Sequence, residues 1–259
     1  MTGAAEYLTE GVSMSEETKG TDPRLSSFDA EESRIRAAYA RREAVVDRHL
    51  YSYFNRGNLF VIQERERHIL RLLERHGLRP LCEKKILEIG CGAGFWLRAF
   101  VQWGATPENL VGIDLLPDRI AVARRTCPSG VTLHCGNAAA LPFTDASFDV
   151  VLQSTVFSSV LDEGVKQQIA GEMLRVLKGD GAIVWYDFFV NNPRNPDVRG
   201  VGKSEIRRLF AGCNATFGRV TLAPPLARRL APYSWLVCYL LGQLRVLNTH
   251  YLALIRRKG

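Results

Sequence analysis

Glu88, Gly90, Gly92, Gly94 and Asp114 are the residues of this chain whose types and spacing could do chemistry. Glu88 lies in a short apolar run, Ile86-Leu87-Glu88-Ile89, and the three glycines follow at every second position. Glycine has no Cβ, so a backbone built from it can turn sharply and lie against a ligand that a side chain would push away. Asp114 ends a second apolar run, Leu110 to Ile113, at about the interval after the turn where a carboxylate meets a ribose diol. One carboxylate can accept from both hydroxyls. A dinucleotide fits the spacing poorly, because the final glycine of G-x-G-x-x-G would fall at position 95, and that residue is Phe95.

Such residues need rigid elements to hold them. Ile86 to Ile89 is too short for a helix and is bounded by glycines, as a buried parallel strand would be. Phe95, Trp96, Leu97, Ala99, Phe100 and Trp103 begin an apolar helical face, which puts the glycine turn at a helix amino end with its free N–H groups and positive dipole. Further strand signals occur at 131–134, 148–152 and 181–188, the last after a helix marked by Ile169, Met173, Leu174 and Leu177. Five strands alternating with helices predict a doubly wound α/β sheet, whose ligand crevice lies at the carboxyl ends of the strands.

This motif set resembles the class I S-adenosylmethionine-dependent methyltransferases, over roughly residues 60 to 255. The resemblance implies a Rossmann-like sheet, mostly parallel, with a terminal antiparallel strand at 248–256, and S-adenosylmethionine as cofactor. It implies that Glu88 helps hold the methionine amino end and that Gly90, Gly92 and Gly94 line the methionine and ribose. Asp114 would take the ribose hydroxyls, Leu115 would pack on adenine, and Asn137, beside Ala138, would meet the adenine amino group. Gln153 would follow the fourth strand under the methionine. Asn137 departs from the family, which often has Asp there, but its amide oxygen can still accept.

The chain has 259 residues, 46% of them hydrophobic, enough for one α/β domain with a short extra segment. Six cysteines without C-x-x-C spacing suggest a reduced, cytoplasmic setting and no metal site. The first 28 residues are expected to form a disordered tail that is neither signal peptide nor anchor. The formal net charge is +7, with arginines clustered from Arg34 to Arg79. Glu43, Asp47, Glu64, Glu66 and Glu74 are interleaved with them, as on a solvated helix face, so a nucleic-acid partner is not expected.

Residues 29–80 are expected to form a helical lid, with helices over 29–56 and 58–76, and 81–259 the catalytic core. In related small-molecule methyltransferases such a segment covers the cofactor, which makes Tyr39, Tyr51, Tyr53 and Asn55 candidates for cofactor or substrate contact. The polar loop from Asn191 to Gly202 follows the fifth strand and suggests a specificity element, with Asp187 and Arg199 as substrate candidates. Residues 224–247 are unusually apolar and flanked by arginines, consistent with a roof, a homodimer interface or an interfacial helix approaching a lipid-linked substrate. The expected function is methyl transfer to a small molecule, first a hydroxyl of a sugar or secondary metabolite. Carbon methylation of a quinone or lipid is the alternative, ahead of RNA methylation or cofactor binding without turnover. No general base is written plainly; His49, His134, Asp187 and His250 are the titratable candidates, with His134 read as structural.

Overall fold

The computed structural model describes residues 23–45, 47–193 and 195–258. The expected tail lies outside the described residues up to position 22, and from Pro23 the backbone is helical. The elements in chain order begin with α1 (Pro23–Val45), a 3-10 turn (Arg48–Tyr51), α2 (Arg56–Arg75) and β1 (Ile86–Ile89). They continue with α3 (Phe95–Gln102), β2 (Leu110–Asp114), α4 (Pro117–Thr126), β3 (Thr132–Cys135), β4 (Phe148–Ser154) and α5 (Glu163–Val176). The last part contains β5 (Leu177–Phe188), α6 (Lys203–Leu209), β6 (Cys213–Leu222), α7 (Pro224–Leu230), α8 (Trp235–Gln243) and β7 (Asn248–Arg257).

The seven strands form one sheet in the order β3-β2-β1-β4-β5-β7-β6. All neighbours are parallel except β7, which runs antiparallel to both β5 and β6. The strand order reverses between β1 and β4, the switch point at which an open α/β sheet leaves its crevice. Ile89 is level with Ile113 of β2 and Gln153 of β4, so the three strands deliver their carboxyl ends to one edge.

Each face of the sheet carries its own core. Ile169 and Met173 of α5 and Ile206 of α6 cover one face, against Leu87, Ile183 and Trp185. Ile69 and Leu73 of α2, Trp96, Leu97 and Phe100 of α3 and Ile120 of α4 cover the other, against Ile86, Val150 and Val184. The expected helical lid is therefore divided: α2 belongs to the core, and α1 with the following 3-10 turn borders the crevice. The helix expected to reach residue 56 stops at Val45. Leu177, which fits the helical spacing of α5, begins β5 opposite Phe148. β6 has no clear signal in the sequence, because it is an edge strand whose inward positions Cys213 and Ala215 are small and whose middle carries Gly218 and Arg219.

Candidate functional site

The glycine turn leaves β1 in a conformation that only glycine adopts without strain: φ is +64° at Gly90, +53° at Gly92 and +76° at Gly94. A Cβ on Gly90 would stand 2.4 Å from Cγ2 of Val156, whereas one on Gly92 would meet only Arg119 Nη1, at 3.9 Å. Gly92 thus faces open space. Cys91 N donates to Ile113 O at 3.0 Å and Gly92 N to Asp114 Oδ2 at 2.8 Å, fastening the turn to β2. The other Asp114 oxygen accepts from Leu116 N at 2.9 Å. Each oxygen keeps a second lone pair, so the carboxylate can still accept from hydroxyls.

Above this edge lies a cavity of about 810 Å³, within the range of small-molecule and cofactor sites, roughly 300–1,000 Å³. Gly90, Gly92, Asp114, Leu115, Asn137 and Ala138 all line it. α1 supplies the facing wall through Glu32, Ile35, Tyr39 and Arg42, and Tyr51 stands beside them. Thr155 and Ser159, from the chain after β4, complete the lining. Thr155 has φ +58°, an uncommon conformation for a β-branched residue, and its N–H donates to Tyr186 O at 2.8 Å. The open glycine turn, a carboxylate with free lone pairs and the cavity volume fit a nucleoside bearing a short polar tail.

α1 is seated by a buried carboxylate. Glu31 is 7% exposed, and its Oε1 accepts from Leu161 N while Arg34 closes on both carboxylate oxygens. Burial raises the Glu31 carboxyl, but Arg34 and the Leu161 and Asp162 N–H groups outweigh it and leave it below the usual range. At the other end of the helix Glu43 pairs with Arg119 of α4 at 3.2 Å.

Other residues singled out from sequence lie off the cavity wall. Glu88 is 2% exposed, beneath the turn; burial, and then the Asp114 charge, push its carboxyl well up, and its Oε2 has no partner. Gly94 faces Cys127, and Gln153 is fully buried, with Oε1 accepting from Val156 N. Asn137, which does line the cavity, has its Oδ1 accepting from Ala139 N at 2.9 Å and its Nδ2 donating to Glu32 at 3.4 Å. Asn55 caps α2, and Tyr53 and His49 are exposed.

The loop after β5 does not reach the cavity lining. Asp187 is fully buried, its carboxylate accepting from Ser158 N and Phe188 N, and burial raises it to about 7. Alternate residues of β5 take opposite faces, so Asp187 lies on the α5 and α6 side with Trp185, where the Ser158 and Phe188 N–H groups hold its carboxylate beneath the segment that follows β4. Arg199 is drawn away by Glu163 and Glu205. His250 is stacked on Tyr186 with centroids 4.9 Å apart, and burial, then Arg65, lower it to about 3. Glu32, Arg42, Thr155 and Ser159 line the cavity without having been singled out from sequence; only helical phase on α1 could have indicated the first two.

With this geometry established, comparison with known proteins gives a consistent result. Residues 86–181 match the family described as "Methyltransferase domain". The chain is 36% identical over 104 residues to the ubiquinone biosynthesis O-methyltransferase of Azorhizobium caulinodans, covering 39% of this chain and 40% of that protein. It is 27% identical over 154 residues to the demethylmenaquinone methyltransferase of Shouchella clausii, covering 58% and 60%. The match thus spans about half the length of these curated relatives. Among solved structures, a SAM dependent methyltransferase from Archaeoglobus fulgidus superposes with TM-score 0.52 at 18% identity, covering 77% of this chain and 98% of that one. At such identity the likeness is one of fold.

Proposed function

We propose that this chain, which belongs to the class I S-adenosylmethionine-dependent methyltransferases, holds that cofactor in the 810 Å³ cavity and transfers its methyl group to a small molecule. The observation that carries the reading is the convergence of Gly90, Gly92, Asp114, Leu115, Asn137 and Ala138 on one cavity wall. In this reading Asp114 accepts from the ribose hydroxyls, Leu115 packs on the base, and the bare backbone at Gly92 allows close approach of the methionine part. Glu88 stays beneath the turn as its support. The cofactor supplies a methyl group on a positively charged sulfur.

The rest of the work is positioning. α1 keeps water from the donor, and Tyr39, Arg42, Tyr51 and Ser159 offer polar groups to the acceptor. Holding donor and acceptor in a reactive geometry can contribute on the order of 7–11 kcal/mol at best. An oxygen acceptor must also lose a proton. Among the described residues lining the cavity the proton acceptors are carboxylates, Glu32 and Glu43 among them, with no histidine; a carboxylate is ordinarily a weaker base than imidazole, which disfavours an alkyl hydroxyl such as that of a sugar. A phenol-type hydroxyl ionises near pH 10, as tyrosine does (about 10), and asks less of a base. We therefore favour a hydroxylated aromatic ring of quinol type over the sugar hydroxyl expected first. The name of the ubiquinone relative, an O-methyltransferase, supports that preference, and the menaquinone relative supports the quinone class, including the alternative of methylation at carbon.

Calorimetry with S-adenosylmethionine and with its demethylated product tests the cofactor site; heat with neither would overturn the assignment. Methyl-labelled cofactor incubated with separate hydroquinone and sugar pools then identifies the acceptor by mass. Label in the sugars alone would reverse the preference.

A further inference from the structure

We propose that the outer face of α7 and α8 docks on an anionic lipid bilayer. α8 is capped by Ser234, whose hydroxyl accepts from Val237 N at 3.3 Å, and it is anchored from one side. Trp235, Cys238 and Leu241 turn inward onto Phe60, Leu222 and Ala227. Leu236, Val237 and Leu240 share the opposite face of α8 at helical spacing, Tyr233 stands just before the helix and Leu244 just after it, and all five face solvent. Tyr233 is 87% exposed, Leu236 66% and Leu240 57%. Solvent-facing apolar residues of this density call for an occupant.

Charge identifies it. Residues 224–247 carry Arg228, Arg229 and Arg245 and no Asp or Glu. Arg56 joins them by donating to Pro232 O at 2.7 Å, and Arg67 lies 5.9 Å from the Tyr239 ring. An apolar stripe edged by arginines is the pattern of a helix lying in the plane of an anionic membrane surface. A spanning mode is ruled out for α8, which has nine residues; among the described residues no helix is long and apolar enough to cross a membrane.

The face adjoins the cavity mouth. Tyr51, which lines the cavity, has the Arg228 guanidinium 5.9 Å from its ring, and Phe54, three residues further on, is 94% exposed. A bilayer against this face would bring a lipid-soluble acceptor to the opening; that consequence, unlike the docking itself, rests on the methyl-transfer reading.

The test is flotation of the full chain with vesicles of phosphatidylcholine and of equimolar phosphatidylcholine and phosphatidylglycerol. The protein is expected to float with the anionic vesicles, to float poorly with the neutral ones, and to release as salt rises. Leu236→Asp with Leu240→Asp, and separately Arg229→Glu with Arg245→Glu, should each weaken the association by at least about tenfold. Neither pair lines the cavity, so calorimetric affinity for S-adenosylmethionine should be retained and reports that each variant is folded. No flotation of the parent protein, or flotation of both variants equal to that of the parent, overturns the proposal. A dimer in sedimentation that the leucine variant dissociates would do so too, assigning the face to a second copy. Lost flotation with intact calorimetry removes the docking alone; intact flotation with no calorimetric heat removes the methyl-transfer reading alone.

Discussion

Asp114 Oδ2 accepts the Gly92 N–H at 2.8 Å, so the carboxylate at the end of β2 holds the glycine turn at the end of β1. The same side chain fixes the entry to α4 through Leu116 N. The residue proposed to meet the ribose is therefore also a strut between two strands.

This double duty sets the outcome of substitution. Asp114→Ala removes both charge-assisted hydrogen bonds, each worth about 1.5–3 kcal/mol. Cofactor affinity should fall roughly ten- to a hundredfold, with a lowered thermal midpoint. Asp114→Asn keeps one acceptor and should recover part of the stability. Calorimetry paired with thermal unfolding separates the two effects; unchanged affinity in Asp114→Ala would leave the residue a strut only.

Gly90 and Gly92 should respond differently to the same change. Either alanine must adopt positive φ, at about 1–2 kcal/mol. At Gly90 the added carbon also collides with Val156, so Gly90→Ala should lose stability beyond that cost. At Gly92 it enters open space, and the larger loss should be in cofactor binding. Urea midpoints and binding constants that move in parallel for the two variants would contradict this division.

Arg42 and Arg199 make a matched pair for locating the acceptor. Arg42 lines the cavity and donates to Tyr51 Oη at 2.6 Å, whereas Arg199 serves an outer ion-pair cluster. Arg42→Ala should lower turnover several-fold while leaving cofactor affinity nearly unchanged. Arg199→Ala should leave turnover unchanged and cost only about 1 kcal/mol of stability, because its pair with Glu163 is half-exposed and the buried Glu205 keeps Lys166 as partner. The reverse pattern in steady-state kinetics would return the substrate site to the loop after β5.

Asp187 gives a pH signature of stability. Its folded value, about 7, lies above the ordinary carboxylate value, so between about pH 4 and 7 the folded chain binds the extra proton. Its contribution is therefore fully present below that window and is lost as pH rises through it, by roughly 1.4 kcal/mol per unit at most. Asp187→Asn should flatten the stability profile over this range relative to the parent. Identical slopes in denaturant titrations at pH 5 to 7 would show that Asp187 is ionised throughout.

The sequence made the parallel half of the sheet readable because buried strands ending in glycine or a carboxylate leave a local signature. β1, β2 and the turn between β1 and α3 are of that kind. Asp187 and Arg199 read as substrate groups because one stands at the end of β5 and the other in the loop that follows, yet the Ser158 and Phe188 N–H groups hold the Asp187 carboxylate and the Glu163 and Glu205 carboxylates decide where the arginine lies. Glu32 and Arg42 were hidden for the opposite reason. They sit in an arginine- and glutamate-rich helix whose inward phase is set by contacts distant in sequence, Glu31 with Leu161 N and Glu43 with Arg119 among them.

The Glu31 contact has a thermodynamic consequence when taken with the ion pair at the other end of α1. Glu31 holds the helix to the segment after β4, and Glu43 holds it to α4 after β2, so one rigid element spans both sides of the cavity. A ligand on either side that favours the seated helix strengthens the seat for a ligand on the other. Linkage makes the effect reciprocal: the factor by which cofactor tightens acceptor equals the factor by which acceptor tightens cofactor.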